Sequence, residues 1–142
     1  MNDGLPTRSQ LLHACRDGNP LPDHPVLRRA RALAALHARS LGAVPAVVAD
    51  LEEQRAHLVR DIDRWAEARL PPAHGGAYLH TESLGAVIDR LARLSARAYA
   101  ALADDAEWDL WFAWERLAES AVAYEDLVTE LATGRRRLPN AL

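Results

Sequence analysis

The side chains best suited to chemistry lie in the first half of the segment LHTESLGAVIDRLARLSARAYAAL, residues 79–102. His80 and Glu82 stand where a helix should begin, and Asp89 and Arg90 follow two turns later. Free amides at a helix N-terminus favour an acidic partner, and imidazole and carboxylate groups are the usual agents of proton transfer. These four residues are therefore a candidate catalytic cluster for a reaction that needs neither metal nor cofactor.

Four further residues are candidates for the same kind of site. His37 lies within the apolar stripe of the second predicted helix and should face inward, whereas Arg55 and Glu125 flank the apolar seams of the third and fifth. A buried histidine beside an arginine or a glutamate can act as a general base with an anion clamp. The same groups can also form a purely structural hydrogen-bond network. His74, in the loop PPAHGGAY, is a candidate ligand contact, and that loop is a candidate lid.

No metal or cofactor site is predicted. A carboxylate-bridged di-metal site in a helical bundle needs Glu-x-x-His on two helices, and no glutamate here has a histidine three residues later. Neither HExxH nor His-x-x-x-His occurs. The glycine pair beside His74 is too short for a phosphate-binding loop, and Cys15, on a short helix, is typical of a small packed hydrophobe.

Composition limits the classes of function. A chain of 142 residues is expected to form a single domain around one core. Its net charge of −3 offers no basic surface for nucleic acid or for a membrane, and all its basic residues are arginines, a bias typical of a GC-rich genome. No apolar run reaches the ~18 residues of a membrane span, and the N-terminus lacks the pattern of a signal peptide. One cysteine excludes an internal disulfide, which predicts a cytoplasmic location.

Proline, glycine and capping residues divide the chain into five predicted helices. The first is short and belongs to an N-terminal arm, residues 1–22; the second ends near residue 40, and the third runs from about 45 to about 69. A Pro/Gly loop, residues 70–80, precedes the fourth, and residues 135–142 form a solvated tail after the fifth. The predicted N-caps are Thr7, Asp23, Thr81 and, as a capping box with Glu107, Asp104. No segment alternates with period two, so no strand is predicted.

Apolar residues recur in steps of three and four along the last three helices. Such seams favour antiparallel helices that cross at shallow angles. The predicted fold is therefore all-α, an antiparallel four-helix bundle with an additional short N-terminal helix. The seam residues are Val47, Leu51, Leu58, Ile62 and Trp65 in the third helix, Leu84, Val87, Ile88, Leu91, Leu94, Ala98 and Leu102 in the fourth, and Leu110, Trp114, Leu117, Ala121, Tyr124, Val128 and Leu131 in the fifth.

Two surfaces are candidates for self-association. Gly85, Ala92 and Ala96 lie on the flank of the fourth helix away from its leucines. A glycine inside a helix costs about 1 kcal/mol of stability relative to alanine. Its presence therefore favours a role for this flank in the close approach of another backbone. A solvated face, with Asp89 paired to Arg93, and a ligand-facing surface are the alternative interpretations of that flank. The segment WDLWFAW, residues 108–114, has more aromatic rings than one helix of a small bundle can bury. An aromatic interface is therefore favoured there over a hydrophobic ligand pocket, or over burial of the rings beneath the first helix. The interface candidates in this segment are Trp108, Trp111 and Phe112.

Three segments carry a resemblance to a known family: DIDRW, LHTESLGAVIDRLARL and AWERLAESAVAYEDL. They resemble the bacterial domain-of-unknown-function family 4254, particularly its short actinobacterial members, over most of residues 50–138. The segment around LHTES is the most specific, whereas the first third, including RALAALHARS, matches less well. The resemblance implies an all-helical fold and a bacterial origin, but no established activity, substrate or catalytic residue.

Two hypotheses for function follow. The first is a cytoplasmic, self-associating binding or accessory factor, with a homodimer as the favoured assembly. The second is a small enzyme of the lyase, cyclase or mutase type, independent of metals and cofactors, that uses the cluster His80, Glu82, Asp89 and Arg90. A small-molecule ligand is compatible with both, and neither involves nucleic acid or a membrane.

Overall fold

A computed structural model describes residues 4–16, 18–73, 75–103 and 107–139. These residues form five helices and two very short strands. The elements are α1 (Arg8–Ala14), α2 (Pro25–Ser40), α3 (Pro45–Arg69), β1 (Tyr78–Leu79), α4 (Leu84–Ala101), α5 (Glu107–Ala132) and β2 (Arg136–Arg137). The mostly helical class predicted from the apolar seams is confirmed.

The helix starts follow from local capping chemistry. At α1 the predicted N-cap Thr7 is confirmed, and Gln10 completes a capping box with it. At α2 the N-cap is His24 rather than Asp23, because Pro25 occupies the first helical position and the His24 Nδ1 accepts a hydrogen bond from the Val26 amide at 3.1 Å.

At α4 the prediction of Thr81 as N-cap is also wrong. Ser83 lies two residues closer to the first helical turn, and its hydroxyl accepts a hydrogen bond from the Ala86 amide at 3.2 Å. The predicted box of Asp104 and Glu107 falls outside the described residues, apart from the backbone of Glu107 as the first residue of α5.

Helix α4 lies at the centre of the molecule and packs against α2, α3 and α5. Leu84, Ile88 and Leu91 of its apolar stripe are completely or almost completely buried. Tyr124 of α5 is fully buried, and its hydroxyl donates a hydrogen bond to the Pro6 carbonyl oxygen at 2.7 Å. This bond ties the segment before α1 to α5, so the short helix covers one end of the core.

Contacts between helices define their relative directions. Arg29 near the start of α2 pairs with Asp61 near the end of α3 at 3.5 Å, and a short turn joins the end of α2 to the start of α3. The two helices therefore run in opposite directions. Asp63 near the end of α3 accepts a hydrogen bond from the Gly85 amide at the start of α4, which makes this pair antiparallel too. The arrangement of all four long helices as one antiparallel bundle remains a prediction.

The two-residue strands correct the expectation that the chain has no strand. Tyr78 pairs with Arg136 and Leu79 with Arg137 in parallel register. Two residues are too few to show an alternating pattern, so the sequence carried no signal for them. The pair joins the Pro/Gly loop to the chain after α5, so that part of the predicted solvated tail, at 135–137, is anchored.

Among the described residues no helix is both long enough and apolar enough to cross a membrane.

Candidate functional site

A histidine, an aspartate and an arginine meet between α2, α3 and α4. The His37 Nε2 lies 2.7 Å from one carboxylate oxygen of Asp89, and the Arg55 guanidinium donates to the other at 2.8 Å. Only 11% of the His37 side chain and 15% of the Asp89 side chain are exposed. One carboxylate therefore holds two basic groups from two other helices in a largely desolvated position.

The close packing of α3 on α4 brings this cluster together. Gly85 has no side chain, so the backbone of α4 approaches the Val59 carbonyl oxygen of α3 directly. Asp89 lies one turn further along α4, and Arg55 one turn earlier along α3. In an antiparallel pair these two positions face each other, and α2 crosses α4 where His37 can reach the same carboxylate.

The charge on Asp89 is set by opposing effects. Burial raises the pKa of the Asp89 carboxyl, but the hydrogen bond and charge of His37, with the charge and hydrogen bond of Arg55, together hold that pKa below its ordinary value. Asp89 is therefore an ionised acceptor at neutral pH. An ionised carboxylate can only accept, so the His37 Nε2 carries the proton in this pair.

Arg55 is held from two sides. Its Nε and Nη2 donate to Glu52 at 3.0 and 2.8 Å, while its Nη1 donates to Asp89. The Glu52 hydrogen bond raises the pKa of Arg55 above its ordinary value, against the opposing effect of burial, and Asp89 adds to the rise. Arg55 is thus a fixed cation whose own charge is already matched by two carboxylates.

These groups form one wall of a cleft of about 300 Å3. The remaining wall is supplied by Ser40 and Leu41 at the end of α2 and by Arg93 and Arg97 of α4. Asp89, Arg93 and Arg97 are spaced four residues apart, so they line a single face of α4. Among the described residues no carboxylate lies within ion-pair distance of Arg93 or Arg97.

The arrangement has two chemical capacities. Asp89 fixes the ring orientation of His37, and no described group bonds the His37 Nδ1. A histidine oriented by a carboxylate in this way can act as a general base. Arg93 and Arg97 supply positive charge and have no carboxylate partner within the described ranges, which leaves them available to hold an anion.

The cluster expected at the start of α4 does not form a single site. Glu82 pairs with Arg90, and both line a separate shallow cleft with His80 between α4 and α5. Asp89 faces the opposite way, towards α2 and α3. Of the four residues only Asp89 joins the buried site, because His80 and Glu82 precede α4 and Arg90 points about 100° away from Asp89 around the helix.

The other candidates are distributed around the molecule. Glu125 forms an ion pair with Arg8 of α1 at 3.4 Å, and about half of its side chain is exposed. His74 lies outside the described residues. The alternative pairing of Asp89 with Arg93 is not found among the described residues, where Asp89 contacts His37 and Arg55 instead.

The small residues of α4 are buried by the chain itself. Gly85 packs against α3, Ala92 is fully buried in the core, and Ala96, 9% exposed, lines a cleft between α2 and α4. The expected close approach of another backbone is therefore made within one chain, and this flank is not available to a partner subunit. The rings of α5 behave differently, since Trp108, Trp111 and Phe112 are 75%, 57% and 52% exposed.

Three charged residues of the cleft were not predicted from the sequence. Glu52, Arg93 and Arg97 were not proposed as site residues, although the spacing of 89, 93 and 97 on one helix face was a usable signal. The residues of α2 and α3 that share the cleft with α4 were not predictable, because the periodicity of one helix does not show which other helices pack against it. Within the described part of the chain no group of three or more potential metal ligands occurs.

Comparison with known proteins identifies the family. The model of the family described as proteins of unknown function, DUF4254, matches residues 28–140. The chain belongs to this family, since the match covers most of its length and includes most of α2, all of α3 to α5 and the complete cleft. No curated protein and no solved structure matches the chain.

Proposed function

We propose that this member of the DUF4254 family binds a small anionic molecule in the cleft between α2, α3 and α4, and that His37 acts on that molecule as a general base. The observation that carries the proposal is the buried contact of His37 and Arg55 with Asp89, beside two arginines that have no carboxylate partner in the part of the chain that the structure describes. The cleft thus combines a base, an orienting acid and an anion contact, which is the minimum set for proton abstraction from an anionic substrate.

The charges favour an anion over a cation. Three arginines, Arg55, Arg93 and Arg97, line the cleft with two carboxylates, Asp89 and Glu52, and both carboxylates already contact Arg55. The unmatched charge is therefore positive and lies on the α4 side of the cleft. A carboxylate or phosphate group placed there would gain charge-assisted hydrogen bonds without displacing an existing pair.

The proposal predicts binding that depends on Arg93 and Arg97. Inorganic phosphate and citrate serve as probes, followed by isothermal titration and by backbone amide NMR. We expect shifts at residues of the cleft and a loss of affinity of at least about tenfold in Arg93→Gln/Arg97→Gln, because each charged hydrogen bond contributes about 1.5–3 kcal/mol. The matched control is Arg60→Gln, an exposed arginine of α3 outside the cleft. Equal affinities in the three proteins would refute anion binding here.

The base is tested separately from the anion contact. Nitrogen NMR of labelled histidine should show the wild-type His37 ring, when neutral, with its proton on Nε2, and a mixed tautomer in Asp89→Asn. In a screen of carboxylate and phosphate compounds for lyase or isomerase activity, His37→Gln should abolish turnover while retaining anion affinity. A variant that keeps full turnover would remove the catalytic part of the proposal and leave the binding part.

Self-association is a second candidate function, supported by a separate observation. Trp108 and Trp111 each contact Phe112 at ring-centroid distances of 6.4 and 5.0 Å, and all three are more than half exposed. Aromatic side chains dominate the cores of protein interfaces, so this surface favours a homodimer of a cytoplasmic accessory factor.

Light scattering across a hundredfold range of protein concentration tests this candidate. We expect a dimer that dissociates in Trp111→Ser/Phe112→Ser and persists in Val122→Ser, which removes an exposed apolar side chain elsewhere on α5. A strict monomer at the highest concentration would exclude the homodimer, without bearing on the cleft.

A further inference from the structure

A second and larger cleft adjoins the polar one. It has a volume of about 610 Å3, and its walls are mostly apolar, formed by small side chains of α2 and α4 and by the Tyr99 ring. Leu41 lines both clefts and is 45% exposed. On α2, His37 lines the polar cleft and the next residue, Ala38, lines the apolar one. On α4, Arg97 and Ala96 are divided in the same way. The two clefts therefore lie side by side where α2 crosses α4.

The arginines around the apolar cleft are largely engaged by the chain itself. Arg31 donates to the carbonyl oxygens of Ala14 and Asn19 at 2.9 and 2.7 Å, at the end of α1. Arg16 lies over the Tyr99 ring, 5.4 Å from its centroid. Arg39, the third arginine of this wall, has no such partner among the described residues, and neither do Arg93 and Arg97 beside the polar cleft.

We infer that the ligand of this protein is an amphipathic acid, whose anionic group contacts Arg93 and Arg97 and whose acyl or aryl body lies in the apolar cleft beyond Leu41. The inference rests on the proposed function and adds the class of ligand. A volume of about 610 Å3 lies in the range of small-molecule sites, roughly 300–1,000 Å3. The polar cleft beyond Leu41 supplies the charged groups that would orient a ligand with one charged head.

The orientation follows from the contacts. In the reverse orientation an apolar chain would cover the contact of Arg55 with Asp89 and desolvate its charges without compensation, which is unfavourable. With the head at Arg93 and Arg97, the carbon atoms next to the acid group lie nearest to His37. The base would then act on the first carbons of the chain rather than on its distant end.

The experiment compares acetate, butanoate, hexanoate and octanoate, with octanol as an uncharged probe, by isothermal titration against the full chain. Burial of each methylene group increases affinity by up to about fourfold, so octanoate should bind at least about tenfold more tightly than acetate. Ala38→Phe fills the apolar cleft and should remove that gain while leaving phosphate affinity unchanged. Ala118→Phe, the same change at an exposed position of α5 outside both clefts, should retain it.

The outcomes separate the two proposals. If phosphate binds through Arg93 and Arg97 but octanoate binds no tighter than acetate, the ligand class is wrong and the proposed function stands. If neither probe depends on these arginines, both fail. If octanoate binds equally well to Ala38→Phe, its acyl chain is held by a general apolar surface. If it binds only together with a change of mass in light scattering, its acyl chain is held by a second copy of the protein. Either result overturns the inference.

Discussion

Replacing Gly85 with alanine is the most direct test of how α3 and α4 position the site. A Cβ atom at Gly85 would lie 2.7 Å from Asp63 Oδ1 and 2.9 Å from Val59 Cγ1, and closer still to the Val59 carbonyl oxygen. The side chains can rotate away, but the carbonyl oxygen belongs to the backbone of a helix. The methyl group therefore fits only if α3 and α4 move apart.

Two effects of opposite sign determine the size of the change. Helix propensity favours alanine over glycine by about 1 kcal/mol. Overpacking costs typically 1–3 kcal/mol, and the upper end applies here because the obstacle is backbone. We expect the free energy of unfolding of Gly85→Ala to fall by about 2 kcal/mol, which corresponds to about 6 °C in Tm for a chain of this size.

Urea denaturation followed by circular dichroism measures this difference. Gly76→Ala is the matched control, since a Cβ there meets no atom within 4 Å, and its stability should change by less than about 0.5 kcal/mol. A second readout links packing to the site, because separation of the helices should lengthen the contact between Arg55 and Asp89 and weaken anion binding. If Gly85→Ala were as stable as the wild type, the close approach of α3 and α4 would be wrong.

Three more predictions concern single groups. Asp89→Asn should lower the free energy of unfolding by about 2 kcal/mol near neutral pH. Because the folded-state pKa of Asp89 is lowered, this difference from the wild type should decline below about pH 4 and vanish below the folded-state pKa. Denaturation at several pH values measures it. Cys15, whose pKa burial raises to about 12 despite Arg31, should react with an aromatic disulfide at pH 8 at least about 100-fold more slowly in the native chain than in urea; equal rates would contradict its burial. Tyr124→Phe should cost about 1 kcal/mol in thermal denaturation, because the Pro6 carbonyl oxygen loses its partner, and an unchanged stability would show that this bond is not formed.

Much of the helical structure was predictable from local signals. Prolines at the first turns of α2 and α3 and the Thr7 capping box act within a few residues, so the sequence shows them directly. The caps at His24 and Ser83 were missed because several polar residues competed at each helix start, and the tertiary bond from His24 to the Gly4 carbonyl oxygen decided one of them.

The candidate site was predictable only in its parts. Periodicity indicated that His37 faces inward, and the cost of Gly85 indicated a close approach, but neither names a partner. The contact of His37 with Asp89 spans 52 positions in the chain. It depends on the crossing of α2 over α4, which follows from the packing of all the helices and not from any one segment.

The cost of burying these charges is itself an argument for function. A buried ion pair loses so much hydration that an apolar replacement of similar volume is often equally or more stable. Position 89 faces two helices of a core rich in leucine and alanine, so an apolar residue there would satisfy the fold. Asp89 instead holds a histidine and an arginine at the edge of a cleft whose other arginines have no carboxylate partner among the described residues. Such a departure from the apolar pattern of α4 is expected where a ligand, rather than the fold, selects the side chain.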